Sequence, residues 1–388
     1  MKPVIQAVRA IAFVSVAPLL SATPVHLTSP VNYQVVQRDA SGAGTLSVAG
    51  SLAESVADAV TIQFRILGGS ANANWNDLAT LPPGARDFHT PLSLRAGGWY
   101  RLEVRAFSVP EGPEDNVDSA VDHVGVGEVF VIAGQSNSAN HGEERQLTQT
   151  GRVATFTGTE WVICRDPQSG ASGDGGSFVP PFGDAIAERF KVPVGIIATG
   201  VGATSVREWL PRGERFPNPP TLTRNVTQIS PHEWESQGTL FERFIGRLTP
   251  LGPRGFRAVL WHQGESDANQ KDPSRTLPGA LYRKHMESLI RETSRRIGWN
   301  PPWFVAQASY HTPDDPGSPD LRAAQKALWT AGIAFEGPDT DALTGTYRDG
   351  GGKGVHFSGP GLREHGSRWA EKVGTWLTRE AGAAPVPR

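Results

Sequence analysis

The chain has 388 residues, 38% of them hydrophobic and 20% charged, with 44 glycines, 31 prolines and 11 tryptophans; this exceeds an ordinary single domain and argues against extended disorder. A formal net charge of −2 gives no electrostatic drive towards nucleic acid or an anionic membrane. The single cysteine, Cys164, excludes an intrachain disulfide and any multi-cysteine metal cluster.

The N-terminal stretch "MKPVIQAVRAIAFVSVAPLLSATPV" sets Lys2 and Arg9 ahead of an uncharged apolar run, 10–20, followed by the small residues Ser21 and Ala22. That order is the order of a secretory signal, and the run is too short to span a bilayer. Residues 1–22 are therefore expected to direct export, with the mature protein secreted or periplasmic. No later stretch has the length and apolarity of a membrane span.

Residues 30–122 show a period of two. "VTIQFRIL" puts Val60, Ile62, Phe64 and Ile66 on one side, and "YRLEVRA" does the same with Tyr100, Leu102, Val104 and Ala106. "NYQVVQR" and "TLSVAGS" read as weaker strands, and turn-rich pieces such as "GGSANANWN" and "LPPGA" separate them. The expectation is a small antiparallel β-sandwich that packs or positions ligand, with no catalytic cluster of its own.

From 125 to 380 apolar runs ("EVFVIAG", "VPVGIIATG", "FRAVLWHQG", "PPWFVAQASY") alternate with helical stretches. The longest, "GALYRKHMESLIRETSRRIG", aligns Tyr282, Met286, Leu289, Ile290, Thr293 and Ile297 on one stripe. This predicts a parallel sheet covered on both faces, in which ligands bind outside the carboxyl ends of the strands. Four motifs fall at such ends: Ser136 after the 129–133 run, "TGVGATSVREW", "LWHQGESD" and "KGVHFSGPGL". Taken alone, Ser136 reads first as a helix cap and only second as a nucleophile.

Together, "VFVIAGQSN", "GVGATSVREW", "LWHQGESD" and "GVHFSGPGL" resemble the sequence blocks of the SGNH hydrolase superfamily, in its branch of sialate O-acetylesterase-like and acetylxylan-esterase-like carbohydrate esterases. The resemblance spans roughly 125–377, and the preceding segment resembles the β-domain of some members. It implies a three-layer α/β/α, flavodoxin-like domain after the β-sandwich, and a serine esterase that removes O-acetyl groups from a glycan without a cofactor. In that reading Ser136 is the nucleophile and His356 its general base. The resemblance makes the backbone N–H groups of Ser136 and of Gly202, rather than Gly200, oxyanion donors together with the side-chain amide of Gln263. Gln135 and Asn137, flanking Ser136, count with them as oxyanion or substrate-binding residues.

One departure stands out. Members of the family carry Asp three residues before the histidine, and here that position is Lys353. Three readings stay open: Asp349 orients His356 across Gly350–Gly352, Glu265 or Asp341 does so, or a backbone carbonyl leaves a Ser–His dyad. Lys353 also favours a rival reading, a carbohydrate-binding protein that has lost the reaction, and a short-chain lipase or thioesterase of the superfamily is a further rival. His262 reads as a structural hydrogen-bonder, while His141, His285, His311 and His365 form no HxH or HExxH metal spacing. Trp161, Trp209 and Trp234 suit sugar stacking and core packing equally.

Overall fold

The computed structural model describes residues 24–69, 73–107 and 117–380, so the export segment expected at 1–22 lies outside the described residues. Strands β1 (Val25–Ser29), β2 (Gln34–Gln37), β3 (Ala43–Leu52), β4 (Val60–Leu67), β5 (Asn76–Leu81), β6 (Asp87–Arg95), β7 (Gly97–Phe107) and β8 (Ser119–Gly134) come first. β1, β3 and β6 form one antiparallel sheet, and β5, β4, β7 and the first half of β8 pair antiparallel in a second. The period of two explains what joins them. Val60, Ile62 and Ile66 of β4 and Tyr100, Leu102, Val104 and Ala106 of β7 are buried against Val25, Leu46, Val48, Leu52 and Phe88 of the first sheet. β2 departs from the antiparallel expectation, because it runs parallel to β8, with Gln34 opposite Val124 and Gln37 opposite Gly127.

β8 crosses the expected boundary at 122–125 without a break. Its second half pairs in parallel with β11 (Val194–Ala198) and β15 (Ala258–His262), so an 11-stranded mixed sheet runs through both parts of the chain. Glu128 sits at the crossing, fully buried, and its carboxylate accepts hydrogen bonds from Arg38 at 2.7 Å, Arg257 at 2.6 Å and Gln37 at 2.9 Å. Removing one partner of such a buried pair typically costs about 3–5 kcal/mol.

Beyond β15 the sheet continues in parallel with β16 (Trp303–Gln307) and β17 (Phe335–Asp339); beyond β11 it continues with β9 (Val153–Phe156). β10 (Trp161–Ile163) closes that edge antiparallel to β9. The predicted parallel sheet thus carries one antiparallel edge strand. Alternate residues of β8 serve different cores. Val129, Val131 and Ala133 pack with Phe241 and Phe244 of α2 (Thr239–Leu248), Tyr282, Met286 and Leu289 of α3 (Gly279–Ile297), and Leu321 and Leu328 of α4 (Pro319–Thr330). Phe130 and Ile132 pack with Phe182 and Ile186 of α1 (Val179–Phe190). Past the one-turn element α5 (Asp349–Gly352), Trp369, Val373 and Leu377 of α6 (Gly359–Glu380) join that second core.

The sequence reading did not anticipate a three-stranded excursion of β12 (Arg215–Phe216), β14 (Glu233–Ser236) and β13 (Val226–Ser230), whose β13 is exposed over four of its five residues. Trp209 and Trp161 are core residues, and Trp234 packs half-buried on this small sheet. Cys164 is buried, which pushes its thiol pKa up. Among the described residues no helix is long and apolar enough to cross a membrane.

Candidate active site

The site begins where β8 ends. Gly134 has φ +124°, and a Cβ there would stand 2.0 Å from the His262 carbonyl oxygen at the end of β15, so only glycine lets the two strand ends approach. Gln135 N–H donates to that same carbonyl at 2.9 Å, and the chain turns into a single 3₁₀ turn, Ser136–Ser138. The capping position of this turn is Gln135, which makes no side-chain capping bond. Ser136 is 5% exposed, and its N–H and Oγ meet no hydrogen-bond partner among the described residues.

His356 arrives from a loop held by a buried arginine. The Arg348 guanidinium donates to the carbonyls of Leu343 at 2.5 Å, Val355 at 2.7 Å and Thr340 at 2.8 Å, and lies against the rings of Tyr310 and Phe357. Gly350, Gly351 and Gly352 have φ of 57°, 68° and 90°, a left-handed path that reverses the chain. Asp349 and His356 then face each other: Asp349 N–H donates to the His356 carbonyl at 3.0 Å, and His356 N–H donates to Asp349 Oδ1 at 3.1 Å. Asp349 Oδ2 is 3.6 Å from His356 Nδ1. Gly354 makes room for this, since a Cβ there would stand 1.7 Å from Asp349 Oδ1.

The other two carboxylates have other partners. Glu265 Oε1 accepts from Asn137 Nδ2 at 2.8 Å and lies 3.7 Å from His262 Nε2, while Glu265 Oε2 is buried without a donor. Asn137 Nδ2 also donates to the Val355 carbonyl at 3.2 Å, tying the nucleophile turn to the histidine loop. Asp341 accepts from Ser309 N–H at 2.7 Å, from Tyr310 N–H at 3.0 Å and from Arg322 at 2.8 Å, and takes no part in the cavity wall. Of the candidate carboxylates, Asp349 is the one that faces the imidazole.

Gln263, the expected oxyanion amide, is engaged elsewhere in this structure. Its side chain is fully buried below the cavity, and its Nε2 points to Asp267 Oδ2 at 2.7 Å, the Thr204 carbonyl at 3.1 Å and Gln135 Oε1 at 3.2 Å. Both its hydrogens are therefore engaged, and none is left for an oxyanion. Gln135 occupies the wall instead. Its Oε1 accepts from Ser266 N–H at 3.0 Å and Gly264 N–H at 3.3 Å as well as from Gln263, which turns its Nε2 away from that loop. The N–H of Gly202, the other expected donor, donates to Ser172 Oγ at 2.6 Å.

These strand ends enclose a cavity of about 640 Å³, walled by Gln135, Ser136, His141, Gly202, Glu265 and His356 among others. Leu222 and Arg224, from the segment before β13, complete the rim, and Arg224 donates to the Gly202 carbonyl at 2.8 Å. No hydrogen bond joins Ser136 to His356 in this open site. The His141 ring stacks on that of His356 with centroids 5.4 Å apart, and burial, then the neighbouring His356 charge, lower its pKa. His262 and His365 are buried behind the site at 4.9 Å centroid separation, with both pKa values lowered by burial. His311 bridges Asp315 and the Glu265 carbonyl, each at 2.6 Å. Among the described residues no three His, Cys, Asp or Glu side chains gather as a metal site.

Beneath the floor lies a buried polar network. Asp267 accepts from Ser205 Oγ at 2.5 Å, Val206 N–H at 2.9 Å and Arg207 at 3.1 Å. Glu208 accepts from Ser205 N–H and Asn225 Nδ2, and burial raises its pKa to about 7. Ser205, Arg207, Glu208 and Asp267 fall inside two of the blocks singled out in the sequence, "GVGATSVREW" and "LWHQGESD", though no pattern there pairs them; Arg348 and Ser172 lie outside all four blocks, Ser172 in the featureless run "QSGASGDGGS".

The chain resembles in structure a carbohydrate acetylesterase from Xanthomonas citri, at 18% identity and TM-score 0.50, over 92% of this chain and 75% of that one. It also aligns with a carbohydrate esterase family 2 enzyme plus carbohydrate binding domain from Corynascus thermopiles (Myceliophthora fergusii), at 11% identity and TM-score 0.37, over 91% of this chain and 99% of that one. A family two carbohydrate esterase from Clostridium thermocellum, in complex with cellohexaose, aligns at 12% identity and TM-score 0.34, over 88% and 94% of the two chains. No curated protein sequence matches. The profile of the family described as "carbohydrate esterase, sialic acid-specific acetylesterase" matches residues 126–375, and the chain, a carboxylic ester hydrolase, belongs to that family.

Proposed function

We propose that the protein is a serine esterase that removes O-acetyl groups from a carbohydrate through an acyl-enzyme on Ser136; sialic acid is the sugar that the family description names. The observation that carries the reading is that Ser136 and His356 line one cavity, with Asp349 Oδ2 3.6 Å behind the imidazole Nδ1. A serine hydroxyl needs a base near neutrality, and an imidazole with an ordinary pKa of about 6.5 is suited to it. His356 takes the proton as Ser136 Oγ attacks the acetyl carbon, then returns it to the leaving sugar oxygen; water repeats the sequence and releases acetate. Asp349 Oδ2, 3.6 Å from Nδ1 in the free protein, closes on that nitrogen in the working complex and holds the ring in the tautomer that leaves Nε2 free.

The tetrahedral oxyanion is met by the free Ser136 N–H and by Gln135 Nε2, with Gln263 fixing the Gln135 amide from below. Each such donor typically contributes about 3 kcal/mol to the transition state. Lys353, the feature that favoured a non-catalytic carbohydrate-binding protein, loses that weight because Asp349 faces the imidazole. Residues 125–380 act in this reading as the three-layer, flavodoxin-like SGNH catalytic domain, and 30–122 as a β-sandwich accessory domain. Residues 1–22 direct export, and mass measurement of the secreted product, expected to lack them, tests that directly.

Stoichiometric labelling by a serine-directed phosphonate, together with p-nitrophenyl acetate hydrolysis, tests the reaction. Both are expected in the native protein and absent in Ser136→Ala; persistence in the variant overturns the assignment. Acetate release from a panel of acetylated glycans, including sialic acid, identifies the sugar. Activity that rises from acetyl to octanoyl esters points to a lipase instead.

A further inference from the structure

Ser172 lies outside every recognised motif, yet its backbone is fastened on both sides. Its N–H donates to the Gly200 carbonyl at 2.9 Å, and its own carbonyl accepts from Asn140 N–H at 2.9 Å, four residues beyond the nucleophile. The fully buried Asn140 also binds Gln168 through both ends of its side chain, at 2.7 Å and 3.0 Å. Gly200 in turn abuts the nucleophile turn, because a Cβ on it would stand 2.6 Å from Ser138 O. The Ser172 hydroxyl is thus placed by the same turn that places Ser136.

The hydrogen-bond inventory of this hydroxyl is informative. Gly202 N–H, which can only donate, points at Oγ at 2.6 Å, and His141 Nε2 lies 3.1 Å away. Burial and the His356 charge lower the His141 pKa and so favour its neutral form, which carries one N–H. We take that hydrogen on Nε2: Ser172 Oγ then accepts from two donors and its own hydrogen is left for the cavity it lines, whereas the other tautomer would draw the hydroxyl hydrogen onto His141. Gly202 also depends on this arrangement, since a Cβ on it would stand 2.5 Å from His141 Nε2.

On the esterase reading above, we propose that Ser172 is a further catalytic residue. Its hydroxyl donates a hydrogen bond to the acetyl carbonyl oxygen as that oxygen becomes negative, and the Gly202 N–H acts on the oxyanion through it. No covalent step is involved, and Ser172 keeps its proton throughout. The two N–H groups that bind Oγ increase the polarity of its O–H bond, as hydrogen bonds in a chain do.

The test is steady-state kinetics of Ser172→Ala and Ser172→Thr with p-nitrophenyl acetate, alongside the rate of phosphonate labelling of Ser136. Removing one oxyanion donor typically lowers kcat by about 10²–10³. Ser172→Ala is expected to show that loss with KM within about threefold. Labelling should slow in parallel, because phosphonylation develops the same negative oxygen, and Ser172→Thr should recover most of both. A Ser172→Ala protein within threefold of native kcat, or one changed only in KM, overturns the proposal. So does an equal loss in Ser172→Thr accompanied by a lower melting temperature, which marks a purely structural role. Ser136→Ala run in the same assay separates the two claims: if it hydrolyses normally the esterase reading fails, whereas if it is inactive and Ser172→Ala is normal, only the role of Ser172 fails.

Discussion

The two halves of the site are built differently. The nucleophile half is a consequence of strand register: β8 and β15 end side by side, Gly134 admits the close approach, and every residue from Val124 to Asn140 is buried. The histidine half is a loop, in which Asp349 and His356 keep about a quarter of their side-chain surface exposed and three left-handed glycines set the path. Burial makes the first half rigid through many shared contacts; the second relies on one arginine and on the absence of side chains at defined points. A register-built group is therefore sensitive to the core, and a loop-built group to single local changes.

The largest expected effect lies in the loop. Asp349→Asn should lower kcat by about 10³–10⁴, as for other triads that lose the orienting carboxylate, with the melting temperature unchanged. Native-like turnover in that variant would leave a Ser–His dyad as the working pair and erase the contrast drawn here. Next comes a pH effect on the buried half. Glu208 has its pKa raised by burial from 4.5 to about 7, so the folded state holds its proton more tightly than the unfolded one. Its contribution to stability is complete below pH 4.5 and is lost as pH rises to about 7, an effect of about 3 kcal/mol over that window. In denaturant titrations across this range the native protein should lose stability relative to Glu208→Gln as pH rises, so that the two curves separate at high pH; parallel curves would contradict it.

The smallest effects sharpen the comparison most. Gly354→Ala drives a methyl group into the Asp349 carboxylate, and a displacement of that order should cost about 10²-fold in kcat at nearly constant stability. Gly351→Ala meets nothing within 4 Å and strains only its φ of 68°. It should cost about 1–2 kcal/mol of stability, read by chemical denaturation, with turnover close to native. If both alanines behave alike, the loop is held by backbone path alone and the fit of the carboxylate is irrelevant.

What could be read from the sequence follows the same division. β4 and α3 lie where their periodicity places them, because each buries one face of a regular element. The four motifs at strand ends do converge on one cavity. β17, "FEGPD", escaped because an edge strand need not be apolar, and the β12–β14 excursion because its outer strand faces solvent. The parallel pairing of β2 depends on a partner 90 residues away, which no local pattern reveals. In the site, Lys353 obscured the carboxylate because the spacing rule assumes a direct path, whereas Gly350–Gly352 fold one over a longer segment. For Gln263, position at a strand end does not say whether the side chain turns up into the cavity or, as here, down onto Asp267.

The continuity of β8 bears on how such a protein can be cut and recombined. A domain joined by a tether is portable, since its neighbour can be trimmed away at the cost of a few solvated residues. Here the strand that delivers Ser136 is also flanked by β2 and β7, and the Glu128 carboxylate within it draws Arg38 from one side of the boundary and Arg257 from the other. Trimming the first hundred residues would leave a bare strand edge and an under-neutralised buried anion a few residues upstream of the nucleophile. The two parts are inherited as one cloth, and grafting either onto another partner means reweaving the strand between them.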